Sequence, residues 1–236
     1  MPAVALAAAT SLADQPVVAM VALVALGLLP FAFMTLTSFA KISVVLSLLR
    51  NALGTGQVPS GTIILGLSAL LTVYVMAPVG QRIVEVAGPA AAKVQLAGSQ
   101  GASARLDALF EAVDKGKEPL REFLVHNAAP KEQALFFDLA RRARRADPTA
   151  AAAVAPTDFL VAAPAFLITE LSEAFRIGFL VFIPFLVVDM VVANVLLALG
   201  MHMLSPTTVS LPFKLLLFVL VDGWLLLARA LVLGYV

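Results

Sequence analysis

The uneven distribution of charged residues constrains this chain most strongly. The 236 residues include 16 Lys/Arg and 15 Asp/Glu, and 20 of these 31 charges lie within residues 82–147. The remainder is dominated by four apolar blocks at residues 17–36, 63–79, 177–199 and 211–233. Each is close to the ~20 residues that a helix needs to cross a bilayer. The pattern therefore predicts an all-α, membrane-type protein interrupted by one water-facing insert.

The blocks divide the chain into three predicted segments. Residues 1–81 form an N-terminal hydrophobic helical hairpin, residues 82–158 a charged and mostly helical soluble insert, and residues 159–236 a C-terminal hydrophobic helical hairpin. Hydrophobic residues make up 61% of the chain and charged residues 13%, whereas about a quarter of the residues in a soluble domain are charged. A fully soluble protein is thus disfavoured.

The insert carries apolar residues at helical spacing. Pro119 precedes an apolar stripe, and we predict that it occupies the first turn of a helix, where the missing N–H costs nothing. A later stripe ends in four basic residues: Arg141, Arg142, Arg144 and Arg145. Basic side chains at a helix C-terminus stabilise its dipole, and such clusters also contact anionic lipids. Both interpretations of the arginines are retained.

Several function classes are excluded or disfavoured by composition. The chain has no cysteine and only two histidines, His126 and His202, which excludes disulfides and thiolate catalysis and disfavours a histidine-based metal site. No G-x-S-x-G, H-E-x-x-H or P-loop pattern occurs in the sequence. A net charge of +1 gives no basic surface for nucleic acid. We therefore predict no enzymatic activity, no metal, no cofactor and no nucleic-acid partner.

Two prolines interrupt apolar blocks, Pro30 in the first and Pro184 in the third. Proline removes a backbone hydrogen bond and commonly kinks a helix. Corresponding breaks in two halves of a chain can mark a transporter's binding site. Because the halves share no sequence pattern, bent and closely packed hairpins are the favoured interpretation.

Charges also occur in or beside the last two apolar blocks: Glu170, Asp189, Lys214, Asp222 and Arg229. An unpaired charge at the bilayer centre costs about 3 kcal/mol on insertion scales. These residues must therefore pair, face a wet cavity or lie outside lipid. One alternative function follows, a secondary transporter or ion channel that uses Asp189 and Asp222 at a midplane site. Another is a passive membrane anchor whose insert does the binding.

Small or polar residues recur at helical spacing after the first apolar block, at Ala40, Ser43, Ser47 and Asn51. Such a face permits close helix approach and interhelical hydrogen bonds. We predict a helix-packing face that serves assembly, with ordinary packing inside the chain as an equal competitor.

Long strings of the sequence resemble one protein family. The segments SLLRNALGT, FRIGFLVFIPFLVVDMV and LPFKLLLFVLVDGW, near residues 47, 175 and 211, are similar to the SctR/FliP family of type III secretion and flagellar export proteins. The similarity covers about two thirds of the chain. It implies a pore-forming structural subunit of an export gate that passes unfolded proteins across the bacterial inner membrane.

The resemblance also implies partners and a location. Family members assemble as a homo-oligomer, a pentamer, together with SctS and SctT, into a helical cone-shaped gate in contact with SctU and SctV. Such a gate is embedded in membrane lipid, multi-pass by hydropathy, with its assembled part projecting to the periplasmic side.

Specific residues acquire expected roles from the same resemblance. Met201 and Met203 match a loop of methionines that forms a deformable gasket around the pore, with His202 where a methionine often stands. Methionine is soft and unbranched, which suits a seal around a changing object; without the resemblance, these would be read as apolar loop residues. Glu170 and Lys214 match a charged contact between adjacent subunits, the alternative being two solvated charges at helix starts.

Overall fold

In the computed structural model of this chain, the described residues are 20, 23–24, 26–56, 58–96 and 102–235. These residues include no strand, which confirms the all-α class. We number the helices in chain order: α1 Leu26–Leu36, α2 Phe39–Leu53, α3 Gly61–Leu96, α4 Ala102–Asn127, α5 Pro130–Ala143, α6 Pro148–Ala152, α7 Phe159–Ala198, α8 Pro206–Leu220 and α9 Gly223–Leu233.

The chain packs as two compact units. The first comprises residues 1–37 and 76–166, and the second residues 38–75 and 167–236. Both α3 and α7 contribute to each unit. The segment boundary predicted at residues 81/82 falls inside the continuous α3, and the boundary predicted at 158/159 coincides with the start of α7.

The first unit has a small apolar core between α4 and the first turns of α7. Leu124, Ala162, Ala165 and Phe166 are fully buried, and the ring of Phe123 lies 5.5 Å from that of Phe166. Burial of these side chains removes apolar area from water, which is the main favourable contribution to packing. The α4 segment is thereby fixed against α7.

Pro119 corrects one prediction. It lies inside α4 and not in the first turn of a helix. Proline within a helix costs about 3 kcal/mol because it removes one backbone bond and crowds the preceding turn. The helix continues because Leu120, the next residue, and Leu124, about one turn later, pack into the core with Phe166. Tertiary burial here outweighs the local preference.

The short helix α6 begins at a side-chain cap. The Asp147 carboxylate accepts hydrogen bonds from the Thr149 hydroxyl at 2.6 Å and from the backbone N–H groups of Thr149 and Ala150 at 3.0 and 3.2 Å. Chiefly through the Thr149 hydroxyl, and then through the two N–H groups, these bonds hold the pKa of Asp147 below its usual range. The cap is therefore formed at neutral pH.

The second unit is built around α2. Ile42, Val45, Leu46 and Leu49 are at most 1% exposed, and their i, i+3, i+4, i+7 spacing directs one helical face into the core. Apolar side chains of α3, α7, α8 and α9 within this unit pack against that face. Gly54, with φ +74°, ends α2 in the left-handed conformation that glycine adopts without strain.

The helix breaks do not lie at Pro30 or Pro184. Pro30 lies within α1 and Pro184 within the unbroken α7, so neither residue ends a helix, and a kink at either one stays a prediction. The first apolar block is followed by a break at Thr37–Ser38, between α1 and α2; its residues 17–19, 21, 22 and 25 lie outside the described residues. The fourth block is not one helix, because α8 and α9 meet at a bend of 59°. Asp222, at this bend, has a φ of 50°.

Among the residues that the structure describes, two helices are long and apolar enough to cross a membrane, residues Gly61–Lys93 of α3 and all of α7. The pairs α1–α2 and α8–α9 also pass this test of length and composition if each broken pair counts as one span. At 1.5 Å per residue, the 40 residues of α7 are about twice as long as the ~30 Å hydrocarbon core requires. The chain is therefore built from membrane-compatible helices that exceed a simple span.

The bend between α8 and α9 generates the first testable prediction. A Cβ added to the buried Gly223 would lie 2.1 Å from an atom of the Phe218 ring, and that ring is itself held by Trp224 at 5.2 Å and Phe185 at 6.4 Å. Overpacking of a core typically costs 1–3 kcal/mol, as an order of magnitude. We expect Gly223→Ala to lower the unfolding temperature measured in detergent.

Gly80→Ala is the matched control. Gly80 lies inside α3 with no heavy atom within 4 Å of its added Cβ, so the higher helix propensity of alanine should be neutral or stabilising. Equal unfolding temperatures for wild type and Gly223→Ala would contradict the close approach at the bend.

Candidate functional site

The loop between α7 and α8 contains the predicted gasket residues. Gly200, with φ +73°, follows the end of α7. The N–H of Met201 donates to the carbonyl of Leu196 at 2.9 Å, and the N–H of Gly200 to that of Leu197 at 3.0 Å. This pair of bonds is the Schellman arrangement, which satisfies the last carbonyls of a helix and reverses the chain. The loop therefore begins from a fixed backbone position.

The side chains of this loop are uncovered within the chain. Met203 is 99% exposed and Met201 46% exposed, and His202 between them is also exposed. An apolar side chain is stabilised by leaving water, and within the chain Met203 gains none of that stabilisation and Met201 only part of it. All three predicted residues thus lie exposed in the loop between α7 and α8.

A buried charge cluster joins α2, α7 and the C-terminal end of the chain. The Lys41 ammonium lies 3.2 Å from Glu170 and 2.7 Å from Glu173, and the side chains of Lys41 and Glu170 are only 3% and 1% exposed. The Tyr235 hydroxyl donates to the second oxygen of Glu170, and Lys41 lies 4.2 Å from the centre of the Tyr235 ring. Each buried charge therefore has partners within the chain, as burial requires.

A second cluster joins α8, α7 and the end of α2. The Lys214 ammonium lies 2.6 Å from the Asp189 carboxylate and donates to the carbonyl of Ala52 at 3.2 Å. The Ser210 hydroxyl donates to the other oxygen of Asp189. Since Ala52 belongs to the last turn of α2, Lys214 places a positive charge at the negative end of that helix. The pair stabilises the hairpin and the end of α2 together.

The two residues predicted to pair between subunits thus have other partners inside one chain. Glu170 contacts Lys41 and Lys214 contacts Asp189, so the Glu170–Lys214 contact between copies remains a prediction that would add to these bonds or replace them. The Asp189–Lys214 pair could have been found from sequence, because the residues carry opposite charges in consecutive apolar blocks. The sequence contains no comparable signal that Tyr235 would donate a hydrogen bond to Glu170.

The predicted helix-packing face lies away from the core side of α2. Ala40, Ser43 and Ser47 are half-buried and Asn51 is exposed, whereas the opposite face is formed by the buried Ile42 and its neighbours. The Ser43 hydroxyl donates to the carbonyl of Ala40 at 3.1 Å, which satisfies it locally. The face is only partly covered within the chain, and its role in assembly stays a prediction.

Large apolar side chains are exposed along the helices of the second unit. Phe179 of α7, Leu220 of α8 and Leu225 of α9 are each more than 60% exposed. Contiguous apolar surface of this kind marks contact with lipid or with other proteins. Among the described residues, no group of three His, Asp or Glu side chains is placed to hold a metal ion. The exposed apolar surface is therefore that expected of a membrane protein.

Comparison with known proteins agrees with this description. The FliP family model matches residues 22–231. The chain is 47% identical over 216 residues to "Pathogenicity-related ORF2" of Xanthomonas campestris pv. glycines, covering 92% of this chain and 95% of that protein. It is 43% identical over 212 residues to the hypersensitivity response secretion protein HrcR of Ralstonia nicotianae, covering 90% and 94%. It is also 45% identical over 212 residues to the flagellar biosynthetic protein FliP of Pectobacterium carotovorum, covering 90% and 76%.

The family and the structure together establish the class of the protein. Its long apolar helices are those of a membrane protein, and the family model covers nearly the whole chain. The chain belongs to the FliP family, whose members are structural components of type III secretion and flagellar export apparatuses and not enzymes.

Proposed function

We propose that this chain is a pore-forming subunit of a type III secretion export gate, which passes unfolded proteins across the bacterial inner membrane. The observation that carries the proposal is the pair of exposed methionines at the α7–α8 turn, Met201 and Met203. Several copies, a pentamer by family resemblance, would bring this loop together around a conduit. Flexible thioether side chains can close against one another and then yield to a passing polypeptide.

The remaining exposed surface supports assembly with other subunits. The apolar faces of α7, α8 and α9 suit either lipid or sister copies, and the half-buried small face with Ser43 and Ser47 suits close helix approach. The partners in this proposal are further copies of the chain, SctS and SctT, with SctU and SctV in contact. The assembled part would project to the periplasmic side.

The transporter alternative is less well supported. It requires free carboxylates at a midplane site, but Asp189 is bound by Lys214 and by the Ser210 hydroxyl. Asp222 is exposed at the bend before α9, where its side chain makes no cap hydrogen bond, and it is not part of the Asp189 cluster. A passive anchor, in turn, gives no reason for the exposed methionine loop.

The gasket is tested by the double substitution Met201→Ala/Met203→Ala. Because both side chains are exposed in the single chain, their truncation should leave folding and assembly unchanged. It should open gaps in the seal and raise the ion conductance of the closed complex in planar bilayers, by about tenfold or more if each ring of thioethers excludes water.

Met190→Ala is the control for this experiment. Met190 is also exposed but lies within α7, eleven residues before the loop, so its truncation should not change the closed-state conductance. A double variant that assembles fully and conducts no more than wild type would rule out the gasket.

The predicted contact between copies is tested by a double-mutant cycle with Glu170→Gln and Lys214→Met. Each single change removes one ionic partner, that of Lys41 or that of Asp189. Losing a partner from a fully buried pair costs about 3–5 kcal/mol, so each change should lower the fraction of chain recovered as oligomer. If the two residues meet across the interface, the double variant should lose no more assembly than the worse single variant.

A second cycle separates this contact from the one seen within the chain. Glu170→Gln and Lys41→Met should be non-additive in the unfolding temperature of the single chain, since Glu170 and Lys41 are 3.2 Å apart. Additive losses of oligomer for Glu170→Gln with Lys214→Met would remove the Glu170–Lys214 contact from the proposal.

A further inference from the structure

The four arginines at the end of α5 do not act as side-chain caps of that helix. The N–H of Arg144 donates to the carbonyl of Arg141 at 3.2 Å, and the N–H of Arg145 to that of Arg142 at 3.2 Å. These backbone bonds close the last turn of α5. Carbonyls that are satisfied by the backbone do not require guanidinium groups.

Two of the guanidinium groups point back along the helix. Arg141 lies over the ring of Phe137 at 5.7 Å, and the Nε of Arg142 lies 2.7 Å from the carboxylate of Asp138. Each partner is four residues earlier, one turn toward the N-terminus of α5. The arginines are therefore directed along the helix side and away from its terminal carbonyls, and their orientation is fixed by an aromatic ring and a carboxylate.

These side chains line a cavity of about 680 Å³ between α5 and α6, together with Arg145. Three guanidinium groups face a single carboxylate, that of Asp138, so the lining carries two excess positive charges. The opposite wall is uncharged and is formed by Pro148, Ala151 and Ala152. One side of the cavity is thus cationic and the other is small and apolar.

The chemistry of this cavity selects one class of ligand. Guanidinium groups donate two parallel hydrogen bonds to phosphate oxygens and are less strongly hydrated than ammonium groups. The Nε of Arg142 is bound to Asp138, which leaves its other N–H donors and those of Arg141 and Arg145 for a ligand at the end of α5 and in the turn that follows it. A phosphate group with two negative charges matches the excess positive charge of the lining. A phosphodiester with an apolar continuation places its phosphate against the arginines and its apolar part against the uncharged wall.

We propose that the cavity lined by Arg141, Arg142 and Arg145 is a binding site for a phosphate group. The group is supplied either by the headgroup of an anionic phospholipid, whose glycerol region would lie against Ala151 and Ala152, or by free phosphate. The site is separate from the methionine loop and from the buried ion pairs, and it does not depend on the role proposed for them.

The test measures binding to the full-length chain in detergent at low salt. Phosphatidylglycerol and phosphatidylcholine are added separately and bound lipid is counted by native mass spectrometry, while inorganic phosphate is titrated by calorimetry. We expect selective retention of phosphatidylglycerol, with competition by inorganic phosphate. The double variant Arg141→Gln/Arg145→Gln should weaken binding by at least about tenfold, since each charge-assisted hydrogen bond that is lost contributes roughly this factor.

Two further variants make the result specific. Ala152→Glu leaves every arginine in place but adds a carboxylate to the uncharged wall, and it should weaken binding to a similar extent. The matched control Arg82→Gln/Lys93→Gln removes two cations that pair with Glu122 and Glu111 in the same unit, and binding should be unchanged. Circular dichroism checks that each variant keeps the helical content of wild type.

The outcomes are distinguishable. Loss of phosphatidylglycerol in the arginine and Ala152 variants supports the site with a lipid headgroup as the source. Binding of inorganic phosphate alone, lost in the same variants, supports the site with free phosphate as the source. Equal binding by wild type and the arginine variant, or an equal loss in the control variant, overturns the proposal.

Discussion

The second unit depends on neutralising charge at both ends of a buried helix. Helix α2 buries a full apolar face. Lys41 in the first turn of α2 is also buried, and Ala52 in its last turn is buried too. Glu170 and Glu173 neutralise Lys41, and Lys214 binds the carbonyl of Ala52. Without these contacts the burial of α2 would carry the cost of uncompensated polar groups. The ion pairs are thus a condition of the fold as well as candidates for assembly.

This internal compensation explains why the outer surface is so apolar. With Lys41, Glu170, Asp189 and Lys214 engaged inside one chain, the helices can present mostly hydrocarbon to their surroundings. Such a surface fits lipid and fits equally well the helices of sister copies, since tight packing in membranes depends on shape and small residues more than on hydrophobicity. The exposed Met201 and Met203, like the exposed Leu199 and Leu204 beside them, lie on a turn rather than along a helix.

Much of the architecture followed from sequence patterns because long apolar blocks and helical periodicity report directly on burial. The all-α class was predictable in this way, whereas the family followed from the resemblance of particular sequence strings. The lengths of α3 and α7 were not predictable, because both helices extend well beyond the apolar blocks at residues 63–79 and 177–199. Pro119 was misleading, because local rules for proline ignore the packing of neighbouring turns; Leu124, fully buried in the first unit, shows what outweighed them.

The site was only partly predictable for a related reason. The methionine loop lies at a turn that glycine and proline mark in the sequence. Partners of buried charges, in contrast, depend on which helices meet in space. Glu170 therefore acquired Lys41 and Tyr235 as neighbours, although they are more than sixty residues away in opposite directions along the chain.

The central claim is that these helices bury their apolar faces against other copies of the chain around a shared conduit. The most direct measurement is the mass of the detergent-solubilised particle, corrected for bound detergent. The account predicts that the measured mass corresponds to several chains of 24.7 kDa each. A particle of one chain at every protein concentration, in the presence of its partner subunits, would contradict it.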